Sequence, residues 1–494
     1  MTIEHSDVLI VGAGPVGMFL ALLLHQQGVS VKLVERQKAL YPLPRAVAFD
    51  HESRRLFGIV GLADEVAQIV EERNVKGGED GQNFVWRDKN LKKLTSITQH
   101  SDRVEAEFAE FVPATTAKVG VVVDGMVCGP GACPGKAEAK PSLRVSASYL
   151  VGCDGANSTV RRLEGMTQTD LGFKEDWLIL DLRIGAAQIC DPDRPTTCIT
   201  AGKGRRRFEF MRIPGESRDT LLSDDKVWEL LEPYGYKPDN VELERKVIYT
   251  FNARWGNEFF KDRVVLAGDA LHLMPPFIGQ GLNSGFRDAG ALGWRLPLIL
   301  RGIAGDRLLQ SYQEERLNHI RKLTEYCVQL GEVICETDHE KSKAIHAKMR
   351  AAREFEVAIL LTSAPGRRYD PPLGRPGTLT LQEEAGRLSL HRKLGPKQEF
   401  FDTIHGYGWV LLTFGGEPCD GFLTGDAREW FLNRLGGKCL NVSPTEDADG
   451  EYAEWFANSL GKDNAVLVRP DFYVFGHSPV QSVNGLVDEL QSKM

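Results

Sequence analysis

The segment Asp7-Val-Leu-Ile-Val-Gly-Ala-Gly-Pro-Val-Gly17 lies near the start of a chain of 494 residues. Its first five residues form a short apolar run, which is typical of a strand buried in a parallel sheet. Gly12, Gly14 and Gly17 follow with the GxGxxG spacing, and residues 18–27 then have the pattern of a helix. This order of strand, glycine-rich turn and helix predicts an α/β unit of the Rossmann type that binds a dinucleotide.

Each glycine of this turn has a physical role. Gly12 permits the tight turn, Gly14 lets a pyrophosphate approach the backbone, and Gly17 lets the helix pack closely on the strand. The free N–H groups and the positive dipole end of the helix then stabilise the pyrophosphate, with Pro15 in the same turn. A second strand, residues 29–34, ends before Glu35, which lies 21 residues after Gly14. A carboxylate at that distance accepts hydrogen bonds from ribose hydroxyls.

Two later segments distinguish FAD from NAD as the bound dinucleotide. Residues 149–162 are an apolar strand that runs into Asp154-Gly and a helix start, and residues 263–272 are a strand that ends in Gly-Asp269. An acid at the end of a parallel strand lies at the ligand-binding edge of the sheet, so Asp269 is positioned for a ribityl hydroxyl of FAD. The glycine-rich stretch 279–285 offers N–H groups to the negative charge of a reduced flavin. Taken singly, either acid would more often be a turn or cap residue.

In this combination and order, the motifs resemble those of the group A flavoprotein aromatic hydroxylases. The similarity is greatest to the 3-(3-hydroxyphenyl)propionate hydroxylase type and covers most of residues 5–75 and 145–335. It is carried by residues 44–50, 61–66, 206–210, 214–216, 249–254, 279–288 and 312–316. The three flavin motifs are specific in combination, whereas substrate identity is much less so.

The resemblance implies a fold in three parts. A Rossmann-like FAD-binding domain is expected from residues 1–75, 145–180 and 255–365. An inserted antiparallel-sheet domain that binds substrate is expected from residues 76–144 and 181–254. Residues 366–384, rich in Pro, Gly and Arg, are expected to be a linker. Residues 385–494 resemble the thioredoxin-like C-terminal domain of phenol and polyketide hydroxylases, without a CxxC motif. That domain is expected to serve packing or homodimer formation.

The resemblance also implies the chemistry. NADPH or NADH reduces FAD, O2 adds to give the flavin C4a-hydroperoxide, and one oxygen atom enters a phenolic ring. The protein supplies binding, orientation and exclusion of water. The motifs and the resemblance together predict these cofactor contacts: Gly12, Gly14, Pro15, Gly17, Glu35, Arg36, Arg45, Asp154, Asp269, Pro275, Gly279, Gly281, Leu282 and Asn283.

Some of these residues carry further implied roles. By the resemblance, Arg45 contacts the flavin or its diphosphate and takes part in flavin movement triggered by NAD(P)H, Asp154 serves both FAD and the nicotinamide donor, and Pro275 lies beside the isoalloxazine. Arg45 and Pro275 therefore also stand among the catalytic candidates. Tyr249 and His272 are candidate acceptors of the phenol proton, because ring hydroxylation is faster on a phenolate. A lone His or Tyr is, however, more often a structural residue.

The basic run Arg205-Arg206-Arg207 has two interpretations. One of its guanidinium groups could bind a substrate carboxylate in bidentate fashion. The alternative is a cluster at a strand end that is satisfied by local acids. Trp177 and Phe277 are expected to wall the substrate pocket or to belong to the core. Residues 71–148 depart from the family pattern, and Cys128 and Cys133 lie there in a turn-rich loop without the partners that a metal site needs.

Composition excludes several other function classes. A formal charge of −8 gives no reason to expect nucleic acid or an anionic membrane as a partner. The apolar residues 8–24 are interrupted by glycines and proline, which argues against a membrane span. Nine scattered cysteines without CxxC favour a reducing, cytoplasmic setting. A second GxGxxG is lacking, which argues against disulfide reductases and Baeyer–Villiger enzymes. Two alternatives stay open: a tailoring hydroxylase of larger polycyclic aromatics, and a non-catalytic FAD-binding partner protein.

Overall fold

The computed structural model of the chain describes residues 3–37, 46, 49–66, 92–110, 121–123, 126–128, 143–182, 187–189, 191–200, 206–352, 385–416 and 418–494. Arg45, Cys133, Arg205 and the linker predicted at 366–384 therefore lie outside the described residues. Within these ranges, no helix combines the length and the apolar character needed to cross a membrane.

The described residues form both strands and helices. The strands are β1 (Ile3–Val11), β2 (Val31–Val34), β3 (Lys92–Gln99), β4 (Val104–Glu110), β5 (Val121–Val123), β6 (Met126–Cys128), β7 (Leu143–Gly152), β8 (Gln168–Leu182), β9 (Ala187–Ile189), β10 (Thr196–Thr200), β11 (Arg206–Met211), β12 (Arg245–Gly256), β13 (Phe260–Lys261), β14 (Val264–Leu266), β15 (His272–Leu273), β16 (Lys393–Leu394), β17 (Glu399–Phe400), β18 (Val410–Phe414), β19 (Lys438–Val442), β20 (Asn464–Val468) and β21 (Val474–Pro479). The helices are α1 (Pro15–Gln26), α2 (His51–Ile59), α3 (Thr159–Leu163), α4 (Arg218–Leu221), α5 (Asp224–Leu231), α6 (Gln280–Leu300), α7 (Leu308–Ile334), α8 (His339–Ala352), α9 (Phe401–His405), α10 (Gly425–Arg428), α11 (Glu451–Trp455) and α12 (Val483–Lys493).

The first sheet has the order β13-β14-β7-β1-β2, and strands β14, β7, β1 and β2 run parallel. The last four residues of β1 are buried, as expected for a strand covered on both faces. Helices α1 and α6 pack on this sheet and share one hydrophobic core with it. The predicted strand, turn and helix at the N-terminus are thus confirmed, with α1 beginning at Pro15 rather than at residue 18.

The second sheet has the order β15-β12-β8-β11-β10-β9 and is antiparallel throughout. Side chains alternate between its faces. On one face Phe208 and Phe210 pack against α4 and α5 in a separate core. On the other face Trp177, Met211 and Val247 pack against the end of α7.

Strand pairing shifts two of the predicted domain boundaries. The prediction placed residues 76–144 with the substrate sheet, but β3 and β4 belong to the first sheet, where β4 pairs with β7 from Val104 opposite Ala147 to Phe108 opposite Leu143. The reason is that β14 covers only the last three residues of β7, which leaves the edge of its first half available to β4. The prediction also kept residues up to 180 in the FAD-binding domain, but β8 pairs with β11 and β12 over its length and belongs to the second sheet.

The C-terminal part contains a mixed four-stranded sheet of order β19-β18-β20-β21. Strands β18 and β19 are parallel, whereas β20 is antiparallel to both of its neighbours. Helical segments follow β18, β19 and β21, so the order is strand, helix, strand, helix, strand, strand, helix. The predicted strands near residues 408 and 465 and the helix near 427 are present. The thioredoxin-like assignment itself remains a prediction from sequence.

Candidate functional site

The first glycine-rich turn brings two parts of the backbone into close contact and leaves a third part open. Gly12 has φ +108°, and a Cβ built on it would lie 2.4 Å from the carbonyl oxygen of Cys153. A Cβ on Gly17 would lie 2.0 Å from the carbonyl oxygen of Gly12. A Cβ on Gly14, in contrast, would meet nothing within 4 Å. Gly12 and Gly17 therefore close the turn against the sheet, while Gly14 faces a space that a pyrophosphate can enter.

The start of α1 offers the donors that such a group needs. Gly14 is the N-cap, no side chain caps the helix, and the first turn contains Pro15 but no acidic residue. The first N–H groups of the helix are thus left for a ligand, and the helix dipole favours an anion there. The Glu35 carboxylate lies beside the turn, where it accepts hydrogen bonds from the Ala13 and Gln37 amides, both at 2.8 Å. Each carboxylate oxygen keeps a second lone pair for a ribose hydroxyl, and Arg36 follows directly.

The second motif is used differently from the first. The Asp154 carboxylate accepts hydrogen bonds from Ser158 Oγ at 2.5 Å and from the amides of Thr159 at 2.6 Å and Val160 at 3.2 Å. It therefore anchors the start of α3, which is the cap role considered from the sequence. From α3, Arg161 donates hydrogen bonds to the carbonyl oxygens of Ala270 and Ala156, so this helix is bonded to the turn that contains Asp269.

Asp269 differs from Asp154 because its carboxylate is available. It is exposed in a short 3-10 turn, Gly268–Ala270, just after β14. Within the described part of the chain, its side chain forms no hydrogen bond or ion pair. The amide of the preceding residue, Gly268, donates a hydrogen bond to the Asp288 carboxylate at 2.9 Å, which fixes the position of the turn. This arrangement fits a carboxylate that receives hydroxyl groups from a ligand.

The third motif forms the flavin loop, defined here as residues 275–283. Gly279 has φ +66° and is the N-cap of α6, and no side chain caps that helix. A Cβ on Gly281 would find its nearest neighbour 3.9 Å away, so the backbone is accessible here. Asn283 shapes the loop: its Nδ2 donates to the Gly279 carbonyl at 2.7 Å, and its Oδ1 accepts from Ser53 Oγ at 2.8 Å. Leu282 is half-buried against the FAD-domain core.

These observations fit an extended FAD. The open space at Gly14, the uncapped start of α1, the available Asp269 carboxylate and the uncapped amides of residues 280 and 281 each suit one part of that molecule. An adenosine half would lie along α1 and Glu35, and a flavin ring would lie against the flavin loop. The predicted cofactor contacts that fall within the described residues lie along these three motifs.

His272 is buried in a charge network beneath this site. Its Nε2 lies 2.7 Å from Asp288 Oδ2, and both side chains are 0% exposed. Asp288 also accepts a hydrogen bond from Arg316 Nε at 2.8 Å. Burial opposes the ionised form of Asp288, but the positive charges of His272 and Arg316 outweigh it and lower the pKa of this carboxyl. The side chain of His272 thus serves the packing of β15 on α6 and α7, and its role as a phenol-proton acceptor remains a prediction.

An aromatic face lies between the flavin loop and the second sheet. Trp177 is stacked with Phe251 at a centroid distance of 5.6 Å, and Phe277 of the flavin loop contacts both rings at 6.0 and 6.3 Å. Tyr249 lies opposite Trp177 in the β12–β8 register, and it packs in the same cluster. These four residues are called the aromatic face below. Trp177 is fully buried and so belongs to the core, the second alternative considered from the sequence, while Phe277 is half-buried against it.

The same sheet face ends in a charged row. Arg207 lies opposite Asp181, which lies opposite Arg245, in neighbouring strands. The Asp181 carboxylate forms ion pairs with both arginines, including Arg207 Nε at 2.8 Å. For Arg207, this ion pair fits the second interpretation of the basic run, a cluster at a strand end that is satisfied by local acids. Glu209, one step along β11 on this face, is buried, and burial raises the pKa of its carboxyl to about 7 despite the nearby guanidinium of Arg207.

Sequence reasoning missed a set of buried polar residues around the flavin loop. Arg287 of α6 is bonded to Asp50 and Glu52 at the start of α2, and Glu52 is bonded to Tyr473 of the C-terminal part. Asp50 lies within a segment that carried the family resemblance, but the partners are far apart in sequence. No local pattern signals such a contact.

Comparison with known proteins agrees with the FAD-binding site inferred from these three motifs. Residues 5–116 and 135–326 match the family described as "FAD binding domain", and residues 392–493 match the "HcaD C-terminal domain". The chain is 32% identical over 529 residues, covering 98% of this chain and 94% of the relative, to a probable NADH-specific resorcinol 4-hydroxylase of Rhodococcus jostii. The chain belongs to the FAD-dependent aromatic hydroxylases. The hydroxylase is also 35% identical over 478 residues, 89% of this chain and 82% of the relative, to a 3-(3-hydroxy-phenyl)propionate/3-hydroxycinnamic acid hydroxylase of Mycolicibacterium smegmatis.

Solved structures support the fold of the hydroxylase. The flavin-dependent monooxygenase PieE, in complex with FAD and substrate, has a TM-score of 0.72 at 20% identity and covers 99% of both chains. Aklavinone-11 hydroxylase, in a ternary complex with FAD and aklavinone, has a TM-score of 0.72 at 20% identity and covers 100% of both. The departure from the family pattern predicted for residues 71–148 is wrong in its extent, because the family match includes all of them except 117–134.

The predicted class is therefore confirmed. The protein is an oxidoreductase that uses FAD, a nicotinamide donor and O2 to hydroxylate an aromatic ring. The expectation of a non-catalytic FAD-binding partner is not supported, because the relatives along the full length of the chain are named as hydroxylases.

Proposed function

We propose that this hydroxylase uses NADH to introduce one oxygen atom into a single-ring phenol that carries a second substituent meta to its hydroxyl group. Resorcinol and 3-(3-hydroxyphenyl)propionate, which appear in the names of the relatives, share this substitution pattern. The observation that carries the proposal for this chain is the contact of Phe277, in the flavin loop, with Trp177 and Phe251 of the second sheet. This contact places an aromatic surface next to the flavin loop, beside which the flavin ring is proposed to lie.

FAD supplies acceptance of a hydride from the nicotinamide and activation of O2 when it is bound. The residues of the chain bind and orient FAD and the substrate, and they shield the reacting atoms from water. The start of α1 and Gly14 hold the pyrophosphate, Glu35 holds the ribose, and Asp269 holds a ribityl hydroxyl. The amides of residues 280 and 281 would stabilise negative charge on the ring edge.

The substrate side of the site has its own roles. The rings of the aromatic face exclude water from the reacting atoms, which limits loss of reducing equivalents as hydrogen peroxide. Tyr249 lies on this face and is the proposed acceptor of the phenol proton. Arg45 and Pro275 keep their proposed roles beside the flavin. Arg207 and Arg245 both form ion pairs with Asp181, so neither guanidinium needs a substrate carboxylate as its partner. We therefore propose that an uncharged phenol is accepted as well as one with a carboxylate arm.

A tailoring role on larger polycyclic aromatics is the second candidate. The similar solved structures include aklavinone-11 hydroxylase, but at 20% identity this likeness concerns the fold alone. The relatives at 30% identity or more are named for single-ring substrates, which favours the first candidate. We further propose that the reaction takes place in the cytoplasm, where NADH is available, and that the C-terminal part contributes to a homodimer.

The test is anaerobic mixing of the FAD-loaded protein with NADH in a stopped-flow spectrometer. We expect resorcinol or 3-(3-hydroxyphenyl)propionate to accelerate flavin bleaching by at least about tenfold, because substrate binding orders the site for hydride transfer. The matched control is 3-methoxyphenylpropionate, which keeps the ring and the carboxylate arm but has a methoxy group in place of the phenolic hydroxyl. Acceleration by aklavinone but by none of the single-ring phenols would favour the second candidate, and no acceleration by any compound would contradict both.

A further inference from the structure

Helix α2 lies between the flavin loop and the C-terminal part, and its first residues are buried although they are polar. The N-cap Asp50 is 5% exposed, Glu52 1%, Ser53 0% and Arg55 7%. Burying a charge without a partner is strongly unfavourable, so these side chains must be bonded. Their partners lie on two opposite sides of the helix.

The partners on the first side belong to α6, directly after the flavin loop. Arg287 Nε donates to Glu52 Oε2 at 2.5 Å, and its NH2 group donates to Asp50. Arg287 NH1 also donates to Oε1 of Gln280, the first residue of α6, at 2.8 Å. The Asp50 amide and the Ser53 hydroxyl both donate to Asn283 Oδ1. Helix α2 thus holds the first turn of α6, whose amides border the proposed flavin position.

The partners on the second side belong to the C-terminal part. The Tyr473 hydroxyl donates to Glu52 Oε1 at 2.6 Å, so the two oxygens of Glu52 are bound from opposite sides. The Asp402 carboxylate receives Arg55 Nε at 2.5 Å and NH2 at 3.0 Å, in a bidentate pair. The Arg55 guanidinium also lies 3.9 Å from the ring centroid of Phe472. Bidentate and charge-assisted bonds of this kind fix orientation as well as distance.

We propose that Tyr473 and Asp402 are positioning residues for the flavin loop: the C-terminal part fixes α2, and α2 fixes the amides of residues 280 and 281. The chain of contacts is continuous, from Tyr473 through Glu52 and Arg287 to Gln280. This inference rests on the proposed FAD site. It gives the C-terminal part a role in the reaction, exerted through α2.

The physical basis is the two-sided binding of Glu52. Without the Tyr473 hydroxyl, the Glu52 side chain is held from one side only, and the Arg287 guanidinium loses one of its fixed acceptors. Gln280 then loses its alignment, and the amides of the flavin loop shift relative to the ring. Donors placed for a developing charge lose effect when they are displaced by fractions of an ångström. Weaker FAD binding and a larger loss of NADH to hydrogen peroxide are the two consequences.

The test compares two buried tyrosines of the same part. Tyr473→Phe removes the bond to Glu52, whereas Tyr452→Phe removes a bond to the Leu390 carbonyl, at 3.3 Å, within the C-terminal part itself. FAD affinity is measured by quenching of flavin fluorescence, and coupling is measured as product formed per NADH oxidised. We expect Tyr473→Phe to weaken FAD binding by about fivefold to tenfold, less than the full effect of a lost hydrogen bond to a charged group because it acts through Glu52 and Arg287, and to lower coupling. Tyr452→Phe should change neither by more than about twofold, since its bond stays within one unit.

A second pair of variants guards against misfolding. Asp402→Asn weakens the Arg55 pair, and Asp447→Asn is its control, because Asp447 is buried in the same part but accepts only from the Ala453 amide in the contacts seen here, at 2.9 Å. In a double-mutant cycle, Tyr473→Phe and Glu52→Gln should be less than additive in FAD affinity. Wild-type affinity and coupling in both Tyr473→Phe and Asp402→Asn would overturn the proposal, as would equal effects in the control variants. FAD affinity is read without substrate, so this result is independent of which phenol is hydroxylated.

Discussion

Gly12 and Gly14 lie two residues apart, but a methyl group would meet different surroundings at each position. At Gly12 it would lie 2.4 Å from a carbonyl oxygen on a backbone with φ +108°, and at Gly14 it would meet no atom within 4 Å. We expect Gly12→Ala to lower the free energy of unfolding by about 2 kcal/mol. Gly14→Ala should leave the stability of the FAD-free protein nearly unchanged but weaken FAD binding, because the added methyl group takes the space of the pyrophosphate.

Urea unfolding of the FAD-free variants and titration with FAD separate the two effects. If Gly14→Ala binds FAD like the wild type, the open space at this turn is not the pyrophosphate site. If both variants lose equal stability, the difference in their surroundings does not control folding.

Glu209 provides a pH-dependent test of the charged row. Its pKa of about 7 lies above the ordinary 4.5, with Arg207, Arg245 and Asp181 as the charged neighbours. The folded protein thus holds this proton more tightly than the unfolded chain does. Its contribution to stability is present below about pH 4.5 and is lost as the pH rises to about 7. Glu209→Gln, which stays neutral, should therefore gain stability relative to the wild type between pH 5 and pH 8.

Melting temperatures of wild type and variant at the two pH values measure this gain. The exposed Glu229, paired with Lys226 on the surface, serves as control: Glu229→Gln should show a difference that does not change with pH. A constant difference for Glu209→Gln as well would mean that Glu209 is ionised in the folded protein at both pH values.

Sequence placed acids at strand ends correctly but did not determine how each carboxylate is used. Asp154 and Asp269 each follow a strand and a glycine-rich dipeptide. Asp154 is engaged by the Ser158 hydroxyl and the first amides of α3, whereas Asp269 lies within a three-residue turn that is too short to engage its side chain. The distinction depends on what the next few residues fold into. It is therefore a property of local structure that a strand-end motif alone cannot specify.

Among the secondary-structure elements, β15, α6 and α7 are joined by the buried carboxylate of Asp288. It binds His272, Arg316 and the Gly268 amide and is 0% exposed. Asp288→Asn leaves the buried Arg316 guanidinium without its counter-charge and weakens the bond to His272, and we expect it to cost about 3 to 5 kcal/mol of unfolding free energy. Urea unfolding measures this cost. The control Asp170→Asn breaks a half-exposed ion pair with Arg254 at 3.2 Å and should cost less than about 1 kcal/mol.

A loss of less than about 1 kcal/mol for Asp288→Asn would contradict this expectation, since the network would then tolerate an unpaired charge. A strong loss of stability with normal hydroxylation by the folded fraction would show that His272 acts in packing alone. A loss of hydroxylation greater than the loss of folded protein would instead support the predicted role of His272.

The elements that sequence predicted best are those whose pattern is set by burial on both faces. Strand β1 and helix α1 were found because an apolar run leads directly into spaced glycines. Strands β3 and β4 were misassigned because the choice of sheet depends on a free edge of β7, which the sequence of β3 and β4 does not encode. Helix α2 was missed for a related reason: its polar residues look like a solvated surface until their distant partners are known.

On the scale of the whole molecule, the C-terminal part shares buried charge and apolar contacts with the FAD-binding domain. Arg469 binds both oxygens of Glu315 on α7, at 2.6 and 2.9 Å, and also binds Asp471. Arg295 of α6 donates to the same Glu315 carboxylate at 2.6 Å. Trp294 packs edge-on against Trp409, at a centroid distance of 5.3 Å, within a shared hydrophobic cluster. Contacts of this kind make the two parts stabilise each other.

We therefore expect the molecule to unfold in one transition, with Arg469 coupling its parts. Arg469→Met leaves Glu315 and Asp471 short of positive charge in the interior, at a cost of about 3 to 5 kcal/mol. Unfolding is followed by flavin fluorescence, which reports release of FAD, and by circular dichroism, which reports the whole chain. Both midpoints should fall together. Arg321→Met, which removes an exposed pair with Glu325, should move neither. If FAD were released at the wild-type denaturant concentration while part of the dichroism signal was lost earlier, the C-terminal part would be an independent unit, and its proposed influence on the flavin loop would lose its physical basis.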